Sequence, residues 1–507
     1  MIAQSDDLPH DPHRAAPGRN LPDPAASADA GAATFPAAPV PRDLSGYHEL
    51  IAAKHVAFEA RGLKHIPALN PLLKPHQAHC TEFALRCGSA AHFLSTGLGK
   101  TFCAQEWARV LVEHTNKPVL MLAPLGVTRQ HETEGARFGL DVKAVREPSE
   151  ITGARIYVTN YDRLAKFDAS RFAGVILDES SIIKNFTGAT TRKLISAFAD
   201  TPFRLACTAT PAPNDHMELG QHSQFLGVMA SNEMLSRWFI ADQTNMGKYK
   251  IKAPAVRPFW NWVASWARCI DKPSDVGFSD EGYDLPPLNV HRHVIEVDIT
   301  EGAGADRNGQ LGFFRNIDTS ATSIHREKRL TASMRADKIA EIVAAEPGES
   351  WVVWCDTDYE ADELTARIPG AVEVRGSMKP DEKENRIASF APGGARVLIS
   401  KPSVCGWGLN WQHCARVAFV GLSFSYEAYH QAVRRCWRFG QARPVDVHIA
   451  CAQTEANIWE IVSRKAGDHD RMKREMTAAM ARAAASSKIL HLYRPEVRAA
   501  LPSFLGG

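Results

Sequence analysis

The sequence predicts an α/β fold in which two doubly wound lobes, each built on a parallel sheet, flank a helical insertion. Two regions alternate short apolar runs with amphipathic stretches, a pattern typical of buried parallel strands covered by helices. The chain of 507 residues is too long for one ordinary core, and 45% hydrophobic with 23% charged residues is typical of a globular protein. No run of about 18 uncharged apolar residues occurs, so we expect no membrane-spanning helix.

Five segments follow from these patterns. Residues 1–44 contain few large apolar side chains and are predicted to be a disordered tail. The first lobe covers residues 45–220, an aromatic-rich helical insertion and connector covers 221–330, and the second lobe covers 331–455. Residues 456–507 are rich in Ala, Arg and Lys and are predicted to form a helical extension. The predicted strands lie at 91–95, 118–124, 155–160, 174–179 and 203–210 in the first lobe, and at 351–355, 371–374, 396–400, 416–420 and 445–450 in the second.

Composition restricts the class of protein. Ten scattered cysteines include no C-x-x-C pair, so we expect reduced core residues rather than a zinc or redox centre. His76 and His79 have the spacing of metal ligands on a helix, but without a neighbouring acid or cysteine cluster we interpret them as packed or exposed side chains. The formal net charge of +2 means that any nucleic-acid contact must be a local groove. The first residues carry acids and prolines instead of an apolar stretch, which argues against a secretory signal and predicts a cytoplasmic protein.

The strongest local pattern follows the first predicted strand and begins an amphipathic helix, and it reads Ser95-Thr96-Gly97-Leu98-Gly99-Lys100-Thr101. This context is that of a phosphate-binding loop, in which glycines let backbone N–H groups surround phosphate oxygens at a helix N-terminus. Lys100 would reach the terminal phosphates, and Thr101 would supply a hydroxyl to Mg²⁺. The first glycine of the strict G-x-x-x-x-G-K pattern is replaced by Leu94, and a glycine turn without a ligand is the alternative.

A pair of acids, Asp178 and Glu179, ends the fourth predicted strand. At the carboxyl edge of a parallel sheet, such acids lie beside the phosphate loop. Asp178 is therefore a candidate Mg²⁺ ligand through water, and Glu179 is a candidate base for the water that attacks a phosphate. A solvated helix cap is the alternative interpretation of two acids after a strand.

The second lobe carries two further patterns. The first is Gly406-Trp407-Gly408-Leu409-Asn410, and the second has the spacing Q-A-x-x-R-x-x-R-x-G-Q from Gln431 to Gln441, with its arginines at Arg435 and Arg438. Guanidinium groups are permanently charged and pair with phosphoryl oxygens through two hydrogen bonds. The two arginines are therefore candidate arginine fingers, and a solvated helix face is the alternative.

All these motifs occur in the order of a known family, together with Leu73–Gln77, Ala123–Leu125, Thr159–Tyr161 and Thr208–Pro211 followed by Asn214. Over about residues 70–455, the chain resembles the superfamily-two helicases, and within them the Swi/Snf-type DNA translocases. The resemblance implies two RecA-like lobes that bind ATP with Mg²⁺ between them, with double-stranded DNA as the expected partner.

The resemblance also implies a role for individual residues. Lys100, Asp178 and Glu179 would act from the first lobe, and Arg435 and Arg438 would reach the γ-phosphate from the second. In the nucleotide site, Gln77 would hydrogen-bond the adenine base. Gly408 and Gln431 would add nucleotide contacts to those made by the loop residues Thr96, Gly97, Leu98, Gly99, Lys100 and Thr101. The residues implied to contact DNA are Pro124, Thr159, Asn160 and Asn410.

Two positions depart from the family pattern. Ser180-Ser181 replace the usual acid and histidine after the paired acids, and Trp437 stands where many members have a histidine. Both changes would alter the coupling of hydrolysis to movement without removing a phosphate-contacting group. Bromodomain-like, chromodomain-like and zinc-finger extensions are not recognised in the sequence. We therefore expect a bacterial or phage translocase with replication or restriction partners rather than a nucleosome remodeller.

Three functions are compatible with the motifs. The first is a DNA-dependent ATPase that moves along DNA. The second is a strand-separating DNA or RNA helicase, whose wedge residues would have no fixed spacing. The third is an ATP-gated module that clamps DNA for a nuclease, a methyltransferase or a replication partner. The presence of Glu179 and both arginines favours an active ATPase over the third function.

Four tryptophans in the insertion allow two interpretations. Trp238, Trp260, Trp262 and Trp266 recur at near-helical spacing, which is typical of packing in a helix core. Stacking against nucleic-acid bases is the less favoured alternative.

Overall fold

The structure is a computed structural model that describes residues 60–124, 127–185, 188–213, 215–243, 249–297, 321–406, 409–484 and 490. The predicted tail at 1–44 lies outside the described residues, as do the motif residues Leu125, Asn214, Trp407 and Gly408. Within the described ranges, no helix combines the length and the apolar character that crossing a bilayer requires.

The first lobe contains a parallel sheet and a small hairpin. Its strands are β1 (Ser89–Leu94), β2 (Val119–Ala123), β3 (Val142–Ala144), β4 (Ile156–Asn160), β5 (Gly174–Asp178), β6 (Phe203–Cys207), β7 (Phe239–Ala241), β8 (Tyr249–Ile251) and β9 (Ala267–Ile270). Seven of them form one sheet in the order β3-β4-β2-β5-β6-β1-β9, and β7 and β8 pair antiparallel. The helices are α1 (Pro75–Cys87), α2 (Lys100–Thr115), α3 (Thr128–Arg137), α4 (Ala189–Ala197), α5 (Leu219–Leu226), α6 (Ser231–Trp238) and α7 (Val256–Trp266).

The first sheet is covered on both faces, which explains its apolar strand sequences. Strands β1 and β2 are buried along their whole length. One core layer contains Phe102 and Trp107 of α2, and the other contains Phe225 of α5 with Trp260 and Trp266 of α7. The first lobe is therefore doubly wound.

The second lobe has the same architecture. Its strands are β10 (Leu288–Ile295), β11 (Trp351–Trp354), β12 (Val372–Val374), β13 (Val397–Ser400), β14 (Arg416–Phe419) and β15 (Val445–Ala452), and they form a parallel sheet in the order β10-β15-β14-β11-β13-β12. The helices are α8 (Ala321–Ala345), α9 (Asp358–Arg367), α10 (Pro380–Ser389), α11 (Pro402–Cys405), α12 (Tyr426–Val433) and α13 (Ala456–Ala484). Two separate core layers pack on the opposite faces of this sheet.

The prediction of two doubly wound α/β lobes is confirmed, and each predicted strand overlaps an observed one. The segment at 221–330, which the sequence predicts to be helical, is only partly so. Strand β9 joins the first sheet beside β1, and strand β10 pairs with β15 at the edge of the second. Four residues are too few for β9 to show a strand period, and its neighbour α7 dominates the local pattern.

The four tryptophans of the insertion are core residues. Trp238, Trp260, Trp262 and Trp266 are at most 3% exposed and pack against one another and Phe259. Their interpretation as helix-core packing is confirmed, because buried indoles are not accessible to nucleic-acid bases. All ten cysteines are likewise buried and unpaired, as expected for reduced core residues.

Helix α13 packs on both lobes. Ile458 and Val462 belong to the core of the second lobe, and Met472, Met476 and Met480 belong to a core layer of the first. The 29 residues of this helix therefore run from one hydrophobic core into the other.

Candidate active site

The phosphate-loop candidate connects β1 to α2, and two of its glycines have a left-handed backbone. Gly97 has a φ of 94° and Gly99 has a φ of 83°, which residues other than glycine rarely adopt. A Cβ on Gly99 would lie 2.2 Å from Gln77 Nε2, and one on Gly97 would lie 2.5 Å from Phe439 Cδ2. The backbone conformation thus favours glycine at both positions, and the Phe439 ring leaves no room for a side chain at Gly97. The loop leads to the N-terminus of the 16-residue helix α2, whose free N–H groups attract anions.

Gly99→Ala should lower both the stability of the protein and its affinity for nucleotide. The left-handed backbone alone costs an alanine about 1–2 kcal/mol, and the added methyl would push Gln77 Nε2 away from the Leu98 carbonyl to which it donates. Gly139→Ala is the matched control, since Gly139 has a φ of 71° and a Cβ there would meet nothing within 4 Å. Thermal denaturation and calorimetric titration with an ATP analogue measure the two effects. Equal losses of Tm, with unchanged nucleotide affinity in Gly99→Ala, would contradict this account.

Gln77 braces the loop from α1. Its Nε2 donates to the Leu98 carbonyl at 3.0 Å, and its Oε1 accepts from the Lys74 N–H at 3.0 Å. A cavity of about 440 Å³ opens beside this segment and is lined in part by Lys74 and Tyr283. The Tyr283 ring meets Phe439 of the second lobe edge-on, with centroids 4.7 Å apart. Motif analysis missed both aromatic residues, because neither has a fixed spacing from the loop.

Lys100 lies among charged groups from both lobes. Its Nζ donates to the Leu94 carbonyl at 2.9 Å. Burial lowers the pKa of the Lys100 ammonium, Glu179 and Asp178 raise it, and Arg435 lowers it further. Because such interactions weaken with distance, these four predicted site residues share one location.

Asp178 ends β5 at the same sheet edge as the loop, since only β6 separates β5 from β1. His131 Nε2 lies 2.9 Å from Asp178 Oδ2, and the Tyr161 hydroxyl donates to the Asp178 carbonyl at 2.7 Å. Burial alone would lower the pKa of His131, but Asp178 outweighs it and raises the value. His131 belongs to α3, the helix that follows Pro124, which the family resemblance implies to contact DNA. His131 thus links this helix to the candidate magnesium ligand.

Glu179 has the properties of a poised base. Its φ of 52° is left-handed, a strained conformation for a residue other than glycine and one that is common at functional sites. The Thr208 hydroxyl donates to Glu179 Oε2 at 3.3 Å. Burial raises the pKa of Glu179 to about 6, Lys100 opposes the shift, and Asp178 reinforces it. The carboxyl group is therefore mostly ionised at neutral pH and still able to accept a proton.

Arg435 follows α12, and all three of its guanidinium nitrogens donate hydrogen bonds. Nε donates to the Gln431 carbonyl at 3.0 Å, Nη2 to Gln431 Oε1 at 2.8 Å, and Nη1 to the Leu409 carbonyl at 3.1 Å. Burial lowers the pKa of Arg435 to about 10, and Glu179 opposes this shift. Because that acid belongs to the first lobe, Arg435 faces the candidate active site.

Arg438 lies nearer to α3. Its Nη1 donates to the Leu409 carbonyl at 3.3 Å. Burial lowers the pKa of Arg438, and Glu134 of α3 raises it. The two arginines predicted to act together thus interact electrostatically with different acids of the first lobe, Arg435 with Glu179 and Arg438 with Glu134.

Glu427 of α12 joins the two lobes. Its carboxylate forms an ion pair with Lys184 and accepts a hydrogen bond from Thr210 Oγ1 at 3.5 Å. Thr210 belongs to the family motif Thr208–Pro211, so Glu427 connects that motif to α12, the helix that precedes Arg435. Another ion pair between the lobes, Arg129–Glu384 at 2.9 Å, is exposed on both sides and contributes little to stability.

The residues predicted to contact DNA differ in accessibility. Thr159 is 1% exposed, and Asn160 is 6% exposed with its Oδ1 accepting from the Arg163 N–H at 3.1 Å. Both side chains are therefore buried inside the lobe. If this segment contacts DNA, neighbouring groups would make the contact. Pro124 is half-buried, and Asn410 is exposed on the second lobe.

The residues present fit a nucleotide triphosphate with Mg²⁺. Gln431 Nε2 and Arg438 Nε are buried and have no hydrogen-bond partner within the described part of the chain, so both offer donors to an anion. Thr101 and Asp178 offer the oxygen ligands that Mg²⁺ prefers. Lys100 and the glycine turn complete the cradle for phosphate oxygens.

Comparison with known proteins identifies one part of the second lobe. Residues 334–440 match the family described as "Helicase conserved C-terminal domain", and no curated protein matches the sequence. Among solved structures, the chain is similar to the Sulfolobus solfataricus SWI2/SNF2 ATPase core in complex with dsDNA, at 17% identity and a TM-score of 0.39, over 84% of this chain and 98% of that one. The segment that is similar to the helicase conserved C-terminal domain includes β11–β14, Arg435 and Arg438.

Proposed function

We propose that the chain is a DNA-stimulated ATPase that couples ATP hydrolysis to movement along double-stranded DNA. The observation that carries the proposal is that the segment of the second lobe with Arg435 packs against the first lobe. The Phe439 ring lies against Gly97 of the phosphate loop, and Arg435 interacts electrostatically with Lys100 and Glu179. A triphosphate held by both lobes would favour one relative position of the lobes. Hydrolysis of the triphosphate would release the lobes from that position. The family match over residues 334–440 and the motif resemblance support DNA as the partner.

The chemistry follows from the charges of the site. Glu179 would accept a proton from the attacking water, as its raised pKa allows. Lys100 and Arg435 would balance the negative charge that develops on the phosphoryl oxygens. Bound Mg²⁺, held by Asp178 and Thr101, would supply further charge neutralisation.

Two contacts provide routes from this chemistry to movement. Glu427 connects Thr210 and Lys184 to α12, so a change in the separation of the lobes would break or form buried polar contacts. His131 connects Asp178 to α3, the helix that follows the candidate DNA contact Pro124. Contacts to the DNA backbone rather than to base edges would allow movement without sequence preference.

DNA should stimulate ATP hydrolysis by the purified protein. Double-stranded DNA should raise kcat, and single-stranded DNA and RNA should raise it less. Double-stranded DNA should also tighten the binding of an ATP analogue by about 5- to 150-fold, the usual range of coupling between two binding sites. The measurement is a steady-state ATPase titration at fixed ionic strength, since binding to DNA depends steeply on salt. Lys100→Ala is the inactive control.

Movement and strand separation need separate assays. Displacement of a triplex-forming strand without unwinding of a fluorescent duplex would support translocation along double-stranded DNA. Unwinding of the duplex would favour the helicase alternative. Equal ATPase rates with and without any nucleic acid would contradict the proposed function.

A further inference from the structure

A second cavity, of about 710 Å³, lies between α12, α13 and the turn at Pro273–Val276. Its volume is within the usual range of about 300–1,000 Å³ for small-molecule sites. The ATPase function proposed above does not use this space. Aromatic rings contribute much of its lining, from Tyr426, Tyr429, Trp437 and Trp459.

Arg434 presents a buried cation to this cavity. It is 6% exposed, and its guanidinium lies over the Trp437 ring at 4.3 Å from the centroid. The Trp437 Nε1 donates to the Pro286 carbonyl at 2.7 Å, which fixes the indole and with it the guanidinium. Nε of Arg434 lies 3.5 Å from His430 Nε2, and Nη1 has no hydrogen-bond partner among the described residues. A buried guanidinium donor without an acceptor is costly, so an anion here would be stabilised.

His469 adds a second unused polar group. It is 2% exposed, and neither ring nitrogen has a partner in the described part of the chain. Its ring lies 5.7 Å from that of His430. Burial lowers the pKa of His469 to about 3, and the charges of Lys473 and Arg434 contribute to the shift, with Asp271 opposing it. The neutral imidazole is therefore able to donate one hydrogen bond in a region of positive potential.

The acids that line the cavity are outnumbered by its cationic side chains. Asp271 is already engaged by Lys473 Nζ at 2.6 Å, and although burial alone would raise the pKa of Asp271, Lys473 outweighs it and lowers the value to about 2. At the rim, two acids face two bases, so their charges balance. These rim residues are Lys272, Asp275, Asp470 and Arg474. Asp271 and Asp470 attract the Arg434 guanidinium electrostatically, but among the described residues neither forms an ion pair with it.

We propose that this cavity binds a nucleoside monophosphate, with the phosphate on Arg434 and His469 and the planar base against Trp459 and Tyr429. A phosphomonoester has three terminal oxygens and matches several converging donors better than a carboxylate does. Aromatic side chains bind planar bases by stacking with little preference among them. The cavity thus has hydrogen-bond donors for the phosphate of such a ligand and aromatic rings for its base.

The occupant would influence the candidate active site. Lys473 Nζ also donates to the hydroxyl of Ser95, the first residue of the phosphate loop, at 2.7 Å. Arg434 directly precedes Arg435. A phosphate that binds Lys473 or Arg434 would therefore change the rate of ATP hydrolysis. This consequence depends on the proposed function, whereas binding to the cavity does not.

The test measures binding of AMP to the full chain by isothermal titration calorimetry, with saturating ADP and Mg²⁺ present to block the candidate active site. We expect one AMP per chain. Arg434→Met should weaken the binding by about tenfold or more, because it removes a charge-assisted hydrogen bond. Gly467→Leu should abolish it, since a Cβ at Gly467, a lining residue on α13, meets nothing within 4 Å and the leucine would enter the cavity. The helix tolerates leucine better than glycine, so this variant should fold.

Arg471→Met is the matched control, because it removes the same charge from an exposed position of α13 outside the cavity lining. AMP binding should also persist in Lys100→Ala, which separates this cavity from the candidate active site. The proposal is overturned if wild-type protein does not bind AMP at millimolar concentration, if Arg434→Met and Gly467→Leu bind as wild type does, or if Lys100→Ala abolishes the binding. A single-stranded oligonucleotide that binds this cavity when AMP does not would equally overturn it.

Discussion

Arg435→Lys should lower kcat by about 10³-fold or more, the range of effects found for arginine fingers. Lysine keeps the positive charge but cannot reproduce the three guanidinium contacts with Gln431 and Leu409, which aim Arg435 at the first lobe. The ammonium group would lose both the fixed direction and the paired donors that a phosphoryl group requires. Steady-state ATPase assays, with nucleotide binding measured separately, would resolve an effect on turnover from an effect on affinity.

Arg443→Lys provides the control for this substitution. Arg443 forms an ion pair with Glu349 at 2.9 Å on the surface of the second lobe, and exposed pairs of this kind contribute about 0–1 kcal/mol. Its kcat should equal that of the wild type. A kcat for Arg435→Lys within the error of the wild-type value would remove the main support for a nucleotide site shared by two lobes.

Glu179→Gln should reduce kcat by about 10²- to 10⁴-fold, the usual contribution of a general base. The raised pKa of about 6 also predicts a pH dependence. Above this value the carboxylate is ionised and accepts a proton, so kcat should be constant. As the pH falls through 6, the group becomes protonated, and kcat should fall with it. The residual activity of the glutamine variant should lack this acidic limb, because an amide does not titrate there.

Glu113→Gln is a suitable control for this second substitution, since Glu113 is an exposed acid near the end of α2 that pairs with Arg109. It should keep the wild-type kcat and pH profile. An acidic limb that persists unchanged in Glu179→Gln would assign the titration to another group and contradict the role of Glu179.

Motifs with contiguous residues were the most predictable part of the site. The phosphate loop needs two glycines and a lysine within one turn, and Asp178 and Glu179 are adjacent at a strand end, so local sequence is enough to find them. Parallel-sheet topology then places both motifs at the same edge.

Contacts made by tertiary packing could not be predicted in this way. Glu427, Tyr283 and Phe439 each meet residues that are distant in sequence, and no spacing rule connects them to the motifs. The motif position of Thr159 and Asn160 similarly says nothing about burial, which depends on how strand β4 is covered. The edge strand β9 was missed because four residues show no strand period, and β10 was missed because most of its side chains are exposed, so its sequence is not an apolar run.

The packing of α13 has a consequence for the order of folding during synthesis. Met472, Met476 and Met480 fill a core layer of the first lobe, although the ribosome makes them more than 200 residues after strand β6. Domains of a nascent chain usually fold one after another from the N-terminus. Here the first lobe is left with an uncovered apolar face until the last long helix has emerged, so completion of one lobe must wait for translation of the other.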